Sequence, residues 1–479
     1  MIPPLLTRRQ ILLRGAKLSA ACLLAGPLGP LGPRARAALA GSAVRRVFDV
    51  ADYGAAGNGT SLDTEAIQRA VDEAAAAGGG ARVLLRGGRR YLIGALVLKS
   101  GIDFHLADDA EVLVSTDPRD FGGLAAITAT GAQGLRLTGT GTINGRSPEF
   151  MDHYDPVNEW WRPKAFRPRL VALTGCRDLE IRDLTFRQAP SWTLHLLGCE
   201  RTLVDGIVIR NQLDVPNCDG IDPDHCRDLV IRNCHIVCGD DAIVVKTTRQ
   251  GARFGPSSNI RVSDCVIETQ DAGVKIGTET AQDISDVRFE RCDIRTSSRG
   301  LCVQLRDEGS ISKVEFRDIT FASRYFSDPW WGRGEGISLT AIPRAPTTKV
   351  GTIHDVRVTN VTGRAENSVR VSGSAQSRVR DITLENVAVT LDRSTKYRGG
   401  LWDNRPTSAL PGIEEHGNPG FGIRHADNVT LKDCRVAWGR NPPGYFTHAL
   451  EAEDVTGLAH PGFVGEAAHP GRDLPIVSG

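Results

Sequence analysis

The sequence predicts an all-β chain, a right-handed parallel β-helix with an N-terminal capping helix. Three observations carry that prediction. The first is a phrase restated from residue 176 onward: RDLEIRDLTF (177–186), RDLVIRNCHI (227–236), SDVRFERCDI (285–294), SKVEFRDITF (312–321) and HDVRVTNVTG (354–363). Each holds two short stretches of alternating apolar and polar residues around a polar pair such as Arg-Asp or Arg-Asn, the pattern of strands buried on one face. The second is spacing: Leu203, Leu229, Ile260, Val287 and Val314 recur at intervals of 26, 31, 27 and 27 residues. Units of that size cannot bury their own apolar face and must stack on neighbours. A propeller blade is nearer 40 residues, and the leucine-rich phrase is absent. The third is composition. Among 479 residues there are 52 glycines and 2 methionines, which suits many tight turns and little helix.

The elements follow in order. Residues 41–115 read as a cap and first turns. In FDVADYGAAGNGTSLDTEAIQRAVDEAAAAGGG a strand and a Gly/Asn turn precede an amphipathic helix with Thr64 as N-cap. Its apolar stripe is Ile67, Ala70, Val71 and Ala74, and it stops at Gly78-Gly79-Gly80. These glycines follow the helix instead of preceding it, which is the wrong order for a phosphate cradle. Residues 116–440 form the β-helix, and 441–479 a C-terminal tail or cap.

Residues 1–40 read as a twin-arginine export signal. Arg8-Arg9 stands before an apolar stretch broken by Gly26, Pro27, Pro30 and Pro33, and Ala38-Leu39-Ala40 offers a cleavage site. The protein is then expected in the periplasm or outside the cell, with no membrane attachment after cleavage. Removing the signal leaves 52 basic and 57 acidic side chains, a formal charge of −5. That excludes a nucleic-acid partner, which calls for a basic excess.

Ten cysteines remain beyond the signal. Cys176, Cys199 and Cys226 open similar segments, and Cys234, Cys265 and Cys292 recur in NCHI, DCVI and RCDI. Recurrence at one repeat position predicts stacked buried thiols. Paired CxxC spacing for zinc is missing.

The chemistry is concentrated in NQLDVPNCDGIDPDHCRDLVIRNCHIVCGDDAIVVK (211–246). Asp219 and the pair Asp240-Asp241 lie one repeat apart, so stacking brings them onto neighbouring rungs. Clustered carboxylates raise one another's pKa, which lets one stay protonated while another is ionised. Glycosidic hydrolysis needs that division of labour. The alternative is a calcium site, which oxygen ligands alone could form, or a solvated turn; catalysis is the stronger reading.

Asn217-Cys218-Asp219-Gly220 and Gly239-Asp240-Asp241 resemble the N-T-D and G-D-D signatures of the polygalacturonase family, glycoside hydrolase family 28. Tyr53-Gly54-Ala55, Ala66-Ile67-Gln68 and Pro190-Ser191-Trp192-Thr193-Leu194-His195 are similar to further segments of its bacterial and plant-like members, and the likeness spans most of 47–440. The resemblance implies an inverting hydrolase of a pectin-like polysaccharide, with no metal or organic cofactor. Asp240 would be the general acid, and Asp219 and Asp241 would activate water, with acid and base about 6.5–9.5 Å apart.

Two departures bear on substrate. Ala272 stands where the family's G-H-G has histidine, and Cys302 and Gln304 stand where R-I-K has its cations. Lys246, Lys275 and Arg306 are the candidate replacements. Trp160-Trp161-Arg162 and Trp330-Trp331 are candidate groove walls, with indole faces for stacking on sugars. His195, His225, Asp222 and Asp224 are read as structural. The expected partner is the polysaccharide, met by a monomer. A rhamnogalacturonan hydrolase, a β-helix lyase and a non-catalytic carbohydrate-binding β-helix are the competing readings.

Overall fold

The computed structural model describes residues 46–479; the export signal expected at 1–40 lies outside the described residues. Thirty-five strands join one sheet, wound so that each pairs in parallel with a strand one turn away. The result is a parallel β-helix with three faces. The first stacks Arg177–Arg182, Glu200–Asp205, Arg227–Arg232 and Ser257–Ser263. The second stacks Thr185–Arg187, Val208–Arg210, His235–Cys238 and Val266–Thr269. The third stacks Arg169–Thr174, Leu194–Leu197, Ile221–Asp224, Ile243–Thr247, Ala272–Thr280, Arg299–Leu305 and Glu335–Ala341.

The recurring polar pairs now have a backbone reason. Asp178, Asp228 and Asp286 sit at φ 56, 55 and 54° where the chain enters the first face. Asp183, Asn233, Asp264, Asp318, Asn360 and Asn386 sit at φ 53 to 61° where it leaves. Aspartate and asparagine tolerate this left-handed region better than other non-glycine residues. The sequence therefore restates Arg-Asp and Arg-Asn because each turn bends there. Their side chains also bond along the axis: Asn386 Nδ2 donates to Asn360 Oδ1 and Asn360 Nδ2 to Asp318 Oδ1, both at 2.9 Å.

The apolar ladder runs Leu229, Ile260, Val287, Val314 as expected, but its preceding rung is Thr202, not Leu203. Arg201 takes the bend at φ 50°, and Leu203 faces outward. The core is filled by such columns, including Phe289 and Phe316 stacked at 5.2 Å. Burying each large apolar side chain contributes about 1.5–3 kcal/mol. All ten described cysteines are buried and free. The thiols of Cys176, Cys199 and Cys226 touch in sequence, as do those of Cys234, Cys265 and Cys292.

The helix Thr64–Ala77 buries Ile67, Ala70, Val71 and Ala74 against the first rungs. Its N-cap is Asp63, and Thr64 is the first helical residue. The Thr64 hydroxyl accepts from Gly94 N at 2.8 Å, while the Asp63 carboxylate turns back to Ala56 N and Gly57 N. The other end also differs from expectation. Leu450–Ala459 pairs in parallel with Phe421–Lys432, so the segment after residue 440 adds a rung to the solenoid. Among the described residues no helix is long and apolar enough to cross a membrane.

Candidate active site

The third face carries the site. Asp219 precedes the strand Ile221–Asp224, and Asp240-Asp241 precede Ile243–Thr247 on the next rung, with Ile221 and Ile243 in register. Close approach of the two turns demands glycine at both. A Cβ on Gly220 would lie 2.3 Å from Ala242 O, and one on Gly239 2.3 Å from Val215 O. Asp240 is fixed by two backbone donors, Asn217 N to Oδ2 and Asp241 N to Oδ1, both at 2.9 Å.

One oxygen from each of Asp219, Asp240 and Asp241 lies within 4.8 Å of the other two. Stacking of neighbouring parallel rungs brings Asp219 beside the adjacent pair Asp240-Asp241.

Two ammonium groups face the cluster. Lys275 Nζ is 2.7 Å from Asp241 Oδ2. Lys246 Nζ is 2.9 Å from Asp222 Oδ1 and 3.4 Å from Asp219 Oδ2, under the Trp192 ring at 3.9 Å. Burial, then Asp219 and Asp241, pushes Asp240 up to about 8. Burial, then Asp222, pushes Asp219 well above the carboxylate range. Asp222 is pushed up to about 6 by burial, against the pull of Lys246. Burial and Asp241 likewise push up Asp271, a neighbour that the sequence reading did not single out. Three carboxylates alone resemble a cation site, but here two lysines already supply positive charge.

Asp219, Asp240, Asp241, Lys246, Asp271 and Lys275 line a cleft of ≈ 430 Å³ together with Trp160, Arg162, Trp192, Glu279, Trp330, Trp331 and Arg344, with Asp222 buried behind them. Thus Asp219, Asp240, Asp241, Lys246, Lys275, Trp330 and Trp331 come together as expected. Trp330 packs edge-on to Trp160 at 5.6 Å, so the two candidate walls meet.

Arg306 does not join them. It is fully buried, and its guanidinium donates to Leu305 O, Thr340 O and Asn404 O. Its place on the cleft wall is taken by Arg344, paired to Asp307 at 2.7 Å. No sequence signal marked Arg344, which sits in a loop outside the repeat. His195 lies between Arg169 and Asp224, at 2.9 and 3.2 Å. His225 bonds Gly255 O and Thr248 O. Both have the structural contacts expected of them.

Comparison with known proteins adds a second line. The model of "Glycosyl hydrolases family 28" matches residues 89–399. A probable polygalacturonase of Vitis vinifera is 31% identical over 303 residues, covering 56% of this chain and 59% of the relative. The chain spans about six tenths of the length of the curated relatives it matches first. An exopolygalacturonase from Thermotoga maritima shares the fold with TM-score 0.60 and 22% identity, covering 72% of this chain and 87% of that one. A family 28 exopolygalacturonase from Yersinia enterocolitica does so with TM-score 0.63 and 17% identity, covering 90% and 77%.

Proposed function

We propose that this chain, which belongs to glycosyl hydrolases family 28, hydrolyses O-glycosidic bonds of a pectin-like polysaccharide through Asp240, Asp219 and Asp241. The observation that carries the reading is the cluster of Asp219, Asp240 and Asp241 in one cleft, where burial and the other two carboxylates push Asp240 up to about 8. Such an acid still holds its proton at neutral pH and can pass it to a leaving oxygen. Asp241, paired with Lys275, is the carboxylate best placed to take the proton of the attacking water. Asp219 shares Lys246 with Asp222 and orients that water. The water oxygen bonds to the anomeric carbon as the carbon–oxygen bond to the leaving sugar breaks. We propose inversion, as the family resemblance implies. Proton NMR of the first-formed anomer decides: retention would overturn this mechanism.

Substrate charge is the second question. The cleft cations are already paired: Arg162 with Asp155 at 2.7 Å, Lys246 with Asp222, Lys275 with Asp241, and Arg344 with Asp307. With Ala272, Cys302 and Gln304 in place of the family's cationic and histidine positions, a polyanion finds little unopposed positive charge. This favours a backbone of lower charge density, such as rhamnogalacturonan, over polygalacturonate. Initial rates of reducing-end release from polygalacturonate, rhamnogalacturonan and neutral glycans separate these. An unsaturated, ultraviolet-absorbing product would identify a lyase, and no product from any glycan a binding protein. The same reading has the enzyme exported to degrade cell-wall pectin. Sequencing the N-terminus of the exported form tests cleavage after Ala40.

A further inference from the structure

Outward-facing side chains on the third face change character along the axis. On the early rungs Val97, Thr128 and Ala172 follow one another in register. Val97 is 48% exposed, and the other two are half-buried. The column is already buried at His195 and Asp222 beside the catalytic rungs, and beyond Lys275 in the cleft it continues through Cys302, Ser338 and Arg370. None of these last three is more than 2% exposed. Polar groups do not lie buried on the outside of a solenoid unless something covers them.

The cover is a strap, residues 401–410, inserted between the strands Val379–Leu391 and Phe421–Lys432. It begins at the loop that precedes Glu335–Ala341. There Arg405 donates to Asp328 O and Trp330 O at 2.8 and 2.7 Å, and the Asp403 carboxylate accepts from Gly332 N at 2.7 Å. It ends beyond the same strand, where Thr407 Oγ1 donates to Pro343 O at 2.6 Å and Ser408 N to Arg344 O at 2.8 Å. Between those walls it lies on the face. Gln304 Nε2 donates to Arg405 O, Arg306 Nη2 to Asn404 O, and Arg370 Nη2 to Asn404 Oδ1. Trp402, 1% exposed, stacks over Arg370 at 4.4 Å. Anchors on both walls and on the floor make this a fixed barrier.

We infer that the groove is a dead end, open over the early rungs and closed past Lys275 by the strap, so that the enzyme removes small products from a chain terminus. This rests on the hydrolase function proposed above. A polysaccharide cut in mid-chain must run past the acid in both directions, and the strap occupies one of those paths. The strap also explains why Gln304 and Arg306 are out of reach of any substrate.

The test uses the full exported chain and an oligosaccharide of defined length, from whichever pectic backbone is hydrolysed, labelled fluorescently at its reducing end. Terminal attack gives either a ladder of labelled chains shortened one step at a time or immediate release of the smallest labelled product. Viscosity of the polymer should fall slowly relative to reducing-end release. Early appearance of mid-length labelled fragments with a rapid loss of viscosity would overturn the dead end while leaving hydrolysis intact. Absence of hydrolysis on every backbone counts instead against the function. In a variant with residues 404–411 replaced by a short glycine linker, checked for folding by circular dichroism, mid-length fragments should appear. A folded variant that still yields only terminal products would remove the strap from the explanation.

Discussion

The first and third faces of the solenoid are built from equally short parallel strands, yet they treat charge in opposite ways. At the exit of the first face ions pair in solvent: Arg291 and Asp264 lie 2.8 Å apart with side chains 46% and 40% exposed. On the third face they are buried. Lys275 and Asp241 meet at 2.7 Å with side chains 3% and 5% exposed. Arg299, fully buried, has Asp271, Glu335 and Asp403 at 3.7, 3.8 and 3.4 Å, with no guanidinium nitrogen in a well-formed hydrogen bond. Solvated pairs contribute little, whereas a buried charge that loses its partner costs several kcal/mol. The contrast separates the face that repeats from the face that reacts.

The sharpest way to test that contrast is Asp240→Asn. It keeps the shape of the side chain and removes the transferable proton. Loss of a general acid should lower kcat by about 10²–10⁴. Folding should be unharmed or improved, since a neutral side chain suits a site that pushes the carboxyl up to about 8. Near-normal turnover in this variant would refute the acid assignment.

Lys275→Met should break the comparison from the other side. It leaves Asp241 buried without its ammonium partner, which costs about 3–5 kcal/mol for a pair of this kind. Urea denaturation should show that loss, and activity should fall because the base no longer has its counter-charge. An unchanged midpoint would mean the pair is solvated in solution.

Asp240 sets the alkaline limb of the pH dependence. As a general acid pushed up to about 8, it is lost as pH rises through that value, so kcat should fall about tenfold per unit above it. Its stability contribution has the same sign. The folded value lies above the unfolded one, so stability is full below about 4 and is lost as pH rises to about 8. The slope is at most about 1.4 kcal/mol per pH unit. Thermal melts of wild type and Asp240→Asn across that window should diverge with rising pH.

How much of this was legible in the sequence divides along the same line. The solenoid was readable because the bends must fall on residues that tolerate positive φ, and these recur as Arg-Asp and Arg-Asn. The aspartate trio was readable because one repeat of separation becomes lateral contact. Leu203 was misplaced by one position because Arg201, not an aspartate or asparagine, takes the bend there. Arg306 was misplaced for a different reason. What covers it is Asn404, 98 residues later, in an insertion that obeys no repeat. Asp271 and Arg344 were invisible for the same cause, since their roles depend on groups brought near by stacking and loops.

The smallest effect belongs to the first face, where backbone conformation and charge can be pulled apart at one residue. Asp264 holds φ 58° and pairs with Arg291. Asp264→Asn removes the charge but keeps a side chain that tolerates the left-handed region, so it should cost no more than about 0.5 kcal/mol. Asp264→Ala removes both and should cost about 1–2 kcal/mol more, the penalty of a left-handed Cβ. Equal losses in the two variants would mean that the ion pair, not the bend, is what aspartate supplies at this turn. The repeated Arg-Asp phrase would then mark charge pairing and not chain geometry.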